Sequence, residues 1–169
     1  MQFEVVESQT EELAEGDPVE LAVENARRKA RVVHALLDDD DALVIGADTI
    51  VVLDGRPLGK PADAAEARVW LERLAGRDHE VHGGLALYGP GLRERSGHAV
   101  TMVRFRLLTD AELDAYVATG EWCDRAGGYA IQGRGAALVE AIAGDYLNIV
   151  GLPVSLLAEL APELLLTES

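Results

Sequence analysis

The 169-residue chain is almost half apolar and strongly acidic, with 30 Asp and Glu residues against 15 Lys and Arg and a formal net charge of −15. This length and apolar content suffice for one good core, so we expect a single domain over residues 1–169. The charge argues against binding to nucleic acid or to anionic membranes, because both need a basic surface. The single Cys123 excludes an internal disulfide, and no apolar run reaches membrane-spanning length. A cytoplasmic location follows by elimination.

The composition also resembles that of proteins from high-salt cytoplasm, where acidic surfaces keep water and cations close. With a net charge of −15, the excess carboxylates repel one another in dilute buffer, and dissolved salt screens that repulsion. We therefore expect the melting temperature, followed by circular dichroism, to rise from dilute buffer to molar salt. Equal stability in the two conditions would contradict this interpretation.

The first predicted elements are a strand at residues 2–8 and a helix from Asp17 to about residue 37. Asp17 is a suitable N-cap because Pro18 and an acidic first turn follow it. Lys29 lies beside one buried stripe of this helix, whose apolar residues recur at three- and four-residue spacings: Val19, Ala22, Val23, Ala26, Ala30, Val33 and Leu37. The acidic run at 38–41 is expected to be a solvated loop.

Residues 45–61, IGADTIVVLDGRPLGKP, predict a strand and hairpin with one carboxylate, Asp48, inside an apolar run. Burying a carboxylate there is costly unless it meets a cation, a hydrogen-bond donor or a metal. A two-residue Asp-Gly turn follows, and Lys60 then returns towards the start of the strand. The chain has only two lysines, Lys29 and Lys60. Taken alone, the segment favours a simpler interpretation, a buried Asp–Lys pair or an edge hairpin in which Asp48 caps a loop.

The rest of the chain alternates helices and strands. Capping residues, glycine stops and apolar runs predict a helix at 63–76, strands at 81–88 and 99–108 joined by a loop at 89–91, a helix at 109–120, a strand at 136–142 and a closing helix at 154–166. This order predicts a mixed α/β or α+β fold with a central twisted mixed sheet flanked by helices.

Four segments together carry a family resemblance. Besides residues 45–61 they are NARRKA at 25–30, GEWCDRAGGYAIQGRG at 120–135 and GDYLNIVGLP at 144–153. In content and order they resemble the Maf family over nearly the whole chain. The resemblance implies a fold like that of the inosine triphosphate pyrophosphatases. It also implies house-cleaning hydrolysis of nucleoside triphosphates to monophosphate and pyrophosphate with a divalent metal cation, Mg²⁺ or Mn²⁺.

The same resemblance implies roles for individual residues. Asp48 matches the catalytic, metal-associated carboxylate, while Lys29 and Lys60 match lysines that approach the phosphates. Glu12 is a second candidate metal ligand, because Mg²⁺ accepts one or two carboxylates and keeps several waters. An ordinary loop glutamate in an acidic protein is the alternative for Glu12. The candidate substrate-binding residues are Gln132, Arg125, Thr49 and Glu12.

Two of these candidates differ in how closely they follow the family. Arg125 stands where many members have lysine, which preserves the charge but alters its geometry. Gln132 lies in Tyr-Ala-Ile-Gln, which resembles the branch acting on pyrimidine triphosphates. A purine-specific inosine triphosphatase fits these motifs less well. We also expect a homodimer.

One part of the family pattern is absent from this sequence. Members usually begin with a strand and a Ser-x-Ser-Pro-Arg-Arg loop that binds the triphosphate, and this sequence starts after that point. If residue 1 is the true start, we expect an open slot in the sheet beside the Asp48 strand and weak activity at best. The alternative function is a nucleotide-binding or regulatory protein without turnover.

Overall fold

A five-stranded antiparallel sheet forms the centre of the computed structural model, which describes residues 3–37, 42–89 and 92–166. The strands are β1 (Val44–Leu53), β2 (Arg56–Leu58), β3 (Asp78–Gly89), β4 (Leu92–Phe105) and β5 (Val139–Ala143), in the order β2-β1-β3-β4-β5. The α+β class is confirmed. The predicted mixed pairing is not, since all four neighbouring pairs are antiparallel. β2 and β3 do run in the same direction, but β1 lies between them, and the part of the chain that the structure describes contains no parallel ladder.

Helices cover both faces of this sheet. They are α1 (Pro18–Leu36), α2 (Ala64–Leu74), α3 (Asp110–Val117), α4 (Tyr146–Val150), α5 (Val154–Leu160) and α6 (Glu163–Leu166), with 3₁₀ turns at Ala126–Gly128 and Arg134–Leu138. The predicted caps form: the Asp17 carboxylate accepts from two backbone N–H groups of α1, and Thr109 and Glu112 make a reciprocal capping box on α3. Within the described ranges, no helix combines the length and apolarity needed to cross a bilayer.

Four predicted elements differ from the structure. The strand predicted at 99–108 spans Leu92–Phe105 instead. Residues 3–8 form no strand, because no neighbouring strand pairs with them, and Phe3 and Val5 are 81% exposed. The predicted strand at 136–142 begins only at Val139, after the 3₁₀ turn. The closing helix is interrupted because Pro162 disfavours helical backbone at the preceding residue. The acidic run at 38–41 and residues 90–91 lie outside the described residues.

Two glycines allow α1 to lie directly on the sheet. A Cβ atom at Gly46 on β1 would overlap the carbonyl oxygen of Ala26, and one at Gly84 on β3 would overlap that of Ala22. Ala22 and Ala26 are themselves fully buried. The close approach puts the middle of α1 over the centre of β1, where Asp48 is located.

The opposite face carries the largest apolar core. It packs β1, β3 and β4 against α2, α3 and the 3₁₀ turns through these buried side chains: Val51, Leu53, Leu58, Leu71, Leu74, Val81, Val103, Phe105, Leu113, Tyr116, Tyr129, Ile131 and Leu138. Each large side chain of this kind stabilises the fold by roughly 1.5–3 kcal/mol when buried. β2 pairs with β1 only at residues 51–53, so along that edge the described structure leaves residues 44–50 without a strand partner.

Candidate active site

The Asp48 carboxylate is buried under α1, with only 7% of the residue exposed. Its Oδ1 accepts a hydrogen bond from Lys29 Nζ at 2.6 Å, and its Oδ2 accepts one from Asn25 Nδ2 at 3.1 Å. Both donors lie on α1, four residues apart and therefore on the same side of the helix. The charge-assisted bond from Lys29 offsets the cost of removing this carboxylate from water.

A second carboxylate binds the same ammonium group. Lys29 Nζ lies 2.7 Å from Glu12 Oε1, and Lys60 Nζ lies 3.3 Å from Glu12 Oε2. Burial by itself would raise the pKa of Glu12, but the bonds and attraction from Lys29 and Lys60 hold it below its ordinary value. Burial would likewise lower the pKa of Lys29, yet its bonds to Asp48 and Glu12 keep it above the ordinary lysine value. Glu12 and Lys29 are therefore both charged at neutral pH.

Asn25 is a site residue that the sequence analysis did not identify. Its side-chain amide accepts from the Leu13 N–H at 2.8 Å and donates to the Leu13 carbonyl at 3.1 Å, besides donating to Asp48. Asn25 is 2% exposed, and these bonds fix the segment that carries Glu12 against α1. A sequence signal existed, since Asn25 is a polar residue on the buried stripe of α1, one turn before Lys29.

Two adjoining clefts bring the predicted site residues together. A cleft of about 250 Å³ is lined by six of them: Glu12, Lys29, Asp48, Thr49, Lys60 and Arg125. The seventh, Gln132, lines a neighbouring cleft of about 410 Å³, and Arg125 and Tyr129 line both. Ile149 and Val150 of α4, a helix that the sequence analysis did not predict, form part of the common wall. The site thus consists of two clefts that share a wall. Its charged end contains Asp48, Glu12 and the two lysines, and its other end contains Gln132.

The carboxylates at the charged end suit a divalent cation. Asp48 Oδ1 and Glu12 Oε1 both lie within 2.7 Å of Lys29 Nζ, so they converge on one cation position. Hard oxygen ligands of this kind suit Mg²⁺ or Mn²⁺, which bind one or two carboxylates and complete their coordination with phosphate and water. Among the described residues no group of three His, Cys, Asp or Glu side chains could hold a metal ion. Asp48 and Glu12 could supply two oxygen ligands to such a cation.

Tyr129, in the common wall, is held from behind by a buried histidine. His79 Nε2 hydrogen-bonds the Tyr129 hydroxyl at 2.8 Å, and both rings pack edge to face with Phe105. Burial lowers the pKa of His79 to about 4, with a smaller opposing effect from Asp78. His79 is consequently neutral in the folded protein at neutral pH.

This buried histidine predicts a loss of stability in mild acid. The unfolded chain takes up a proton at His79 below its ordinary pKa of 6.5, whereas the folded protein does so only near 4. Stability is therefore lost as the pH falls from about 6.5 to about 4, with about 2 kcal/mol lost by pH 5. Urea unfolding near neutral pH and near pH 5 should show that the free energy of unfolding falls less in His79→Phe than in the wild type. The exposed His98→Gln is the control, and an equal loss in all three proteins would contradict the assignment.

Comparison with known proteins gives a consistent family assignment. The family model described as Maf-like protein matches residues 1–164. A protein of Thermococcus gammatolerans named dTTP/UTP pyrophosphatase is 48% identical over 158 residues, which cover 94% of this chain and 83% of the relative. A protein with the same name from Deinococcus radiodurans is 47% identical over 159 residues, which cover 94% of this chain and 80% of the relative. Another from Moorella thermoacetica is 54% identical over 136 residues, which cover 80% of this chain and 69% of the relative. The chain belongs to the Maf-like protein family.

Proposed function

We propose that this chain hydrolyses nucleoside triphosphates to a nucleoside monophosphate and pyrophosphate. The observation that carries the proposal is the buried Asp48 carboxylate, which lines one cleft together with Glu12 and both lysines of the chain. Relatives with 47–54% identity are named dTTP/UTP pyrophosphatase, which makes thymidine and uridine triphosphates the first substrates to test. A house-cleaning role, the removal of excess or modified nucleotides, suits this chemistry.

The charged end of the site supplies the groups that this reaction needs. In the proposed reaction a water oxygen bonds to the α-phosphorus, the bond from that phosphorus to the bridging oxygen breaks, and pyrophosphate leaves. Asp48 accepts the proton of the water or orients it. Lys29 and Lys60 place positive charge beside the leaving pyrophosphate. A divalent cation held by Asp48 and Glu12 would neutralise phosphate oxygens as negative charge develops.

The cleft lined by Gln132 is the proposed nucleoside end. A glutamine amide offers one acceptor and two donors, which match the N–H and carbonyl groups on the edge of uracil or thymine. Arg125 lines both clefts, which supports a contact with the phosphate chain. Thr49 points to the opposite side of β1 from Asp48 but lines the same cleft. These positions support a preference for pyrimidine triphosphates.

Several expectations about the whole protein stay proposals. The length and apolar content support one domain over residues 1–169, and the family resemblance supports a homodimer. The net charge of −15 argues against nucleic acid and anionic membranes as partners, and the nucleotide substrate is the partner that the family resemblance implies. The single cysteine supports a cytoplasmic location.

A pyrophosphate-release assay with uridine, thymidine and inosine triphosphates, in Mg²⁺, in Mn²⁺ and with chelator, tests the proposal. We expect release from the two pyrimidine nucleotides, slower release from the inosine nucleotide, and none with chelator. Faster release from the inosine nucleotide would contradict the pyrimidine preference. Binding of nucleotides without release in any condition would favour the regulatory alternative.

A further inference from the structure

We propose that the Lys29 ammonium group fills the cation position of the ligand-free site and leaves it when a divalent metal binds. The inference rests on the proposed function, because it concerns how the same site takes up its metal. Lys29 Nζ contacts Asp48 Oδ1 at 2.6 Å and Glu12 Oε1 at 2.7 Å, the two oxygens best placed to hold the metal. An ammonium group and a metal ion cannot occupy that point together.

The surrounding bonds determine which group moves. Asn25 holds the other oxygen of Asp48 and binds both backbone groups of Leu13, next to Glu12. The Asp48 carboxylate is thereby fixed to α1, and the backbone next to Glu12 is fixed beside that helix. Lys29 has a long flexible stem, and its side chain is 23% exposed towards the cleft. Lys29 is therefore the mobile partner, and the open cleft is where its ammonium group goes.

The charge balance of the site affects how metal and nucleotide bind when Lys29 is displaced. Glu12, Asp48, Lys29 and Lys60 carry two negative and two positive charges, so a divalent metal by itself leaves an uncompensated excess of positive charge. A triphosphate supplies the missing negative charge and gives the displaced Lys29 a new partner. Metal and nucleotide are then expected to bind cooperatively, with Lys29 exchanging a carboxylate for a phosphate.

Mn²⁺ binding to the nucleotide-free protein, followed by electron paramagnetic resonance of the free ion, tests the displacement. Lys29→Met removes the competing cation and should tighten Mn²⁺ binding by about tenfold or more. Arg28→Met removes the same charge from the same helix, at a residue paired with Glu24, and should leave the affinity nearly unchanged. Adding Asp48→Asn to Lys29→Met should abolish the gain. Affinity equal to or weaker than wild type in folded Lys29→Met would overturn the proposal.

A second measurement needs no change at Lys29. Because the chain has two lysines, protein labelled with ¹³C at lysine Cε gives two side-chain signals, which Lys60→Arg assigns. We expect Mg²⁺ to shift the Lys29 signal as the site fills, with occupancy checked by competition against Mn²⁺. An unshifted Lys29 signal at full occupancy would overturn the proposal. Neither measurement involves nucleotide turnover, so a failure of the proposed hydrolysis would be seen separately.

Discussion

Replacing Asp48 with asparagine is expected to lower the rate of pyrophosphate release by about 10²-fold or more, while the protein stays folded. Asparagine keeps the shape of the side chain but removes the charge that a metal or an attacking water needs. The structure shows Asp48 paired with Lys29 and Asn25. The substitution therefore removes a favourable ion pair, and we expect the melting temperature to fall modestly.

Asp54→Asn provides a matched control for this experiment. Asp54 lies in the β1–β2 turn with φ of 53°, a conformation that asparagine also adopts, and its exposed side chain pairs with Arg77. The same chemical change outside the cleft should leave turnover intact. Measurements of kcat and KM with uridine triphosphate, together with circular dichroism, compare the two variants. Turnover close to wild type in Asp48→Asn would remove Asp48 from the reaction.

Gly84→Ala is expected to destabilise the protein by about 3 kcal/mol and to reduce activity with it. A Cβ atom at Gly84 would overlap the Ala22 carbonyl and the Val23 nitrogen, both of them helix backbone that no side-chain rotation can move aside. Relief requires α1 to shift away from the sheet. Because α1 carries Asn25 and Lys29, that shift also separates these residues from Asp48.

Gly59→Ala is the control for the stability measurement, because an added Cβ there meets no atom within 4 Å. Urea unfolding should give a wild-type midpoint for Gly59→Ala and a clearly lower midpoint for Gly84→Ala. If Gly84→Ala were as stable as wild type, the direct packing of α1 on the sheet would be wrong.

The elements that the sequence predicted well are those with a local chemical cause. Asp17 caps α1 and Thr109 caps α3 through bonds to their own helix, and the Asp-Gly turn adopts the positive φ angles of a two-residue hairpin. The strand predicted at 2–8 is wrong for the opposite reason, since a strand needs a partner from elsewhere in the chain. Helix α4 is short and packs through buried Asn148 on β3, a contact that no local pattern reveals.

The candidate site follows the same division. Asp48 was identifiable because a carboxylate in an apolar strand needs a partner, and the family resemblance suggested Lys29 and Lys60. The sequence could not predict that Asp48 and Glu12 both pair with the Lys29 ammonium group, because this contact depends on the approach of α1 to β1. Asn25 was overlooked because its three bonds reach Leu13 and Asp48, which are distant in sequence.

The central claim is that water attacks the α-phosphorus of the nucleotide. Hydrolysis of uridine triphosphate in ¹⁸O-labelled water tests it most directly, when the products are separated and their ¹⁸O content is measured by mass spectrometry. If water attacks the α-phosphorus at the Asp48 end of the cleft, the products are uridine monophosphate carrying one ¹⁸O atom and unlabelled pyrophosphate. The Asp48→Asn variant should form both products about 10²-fold more slowly or not at all. Formation of the diphosphate and inorganic phosphate, or label in the pyrophosphate, would contradict the account.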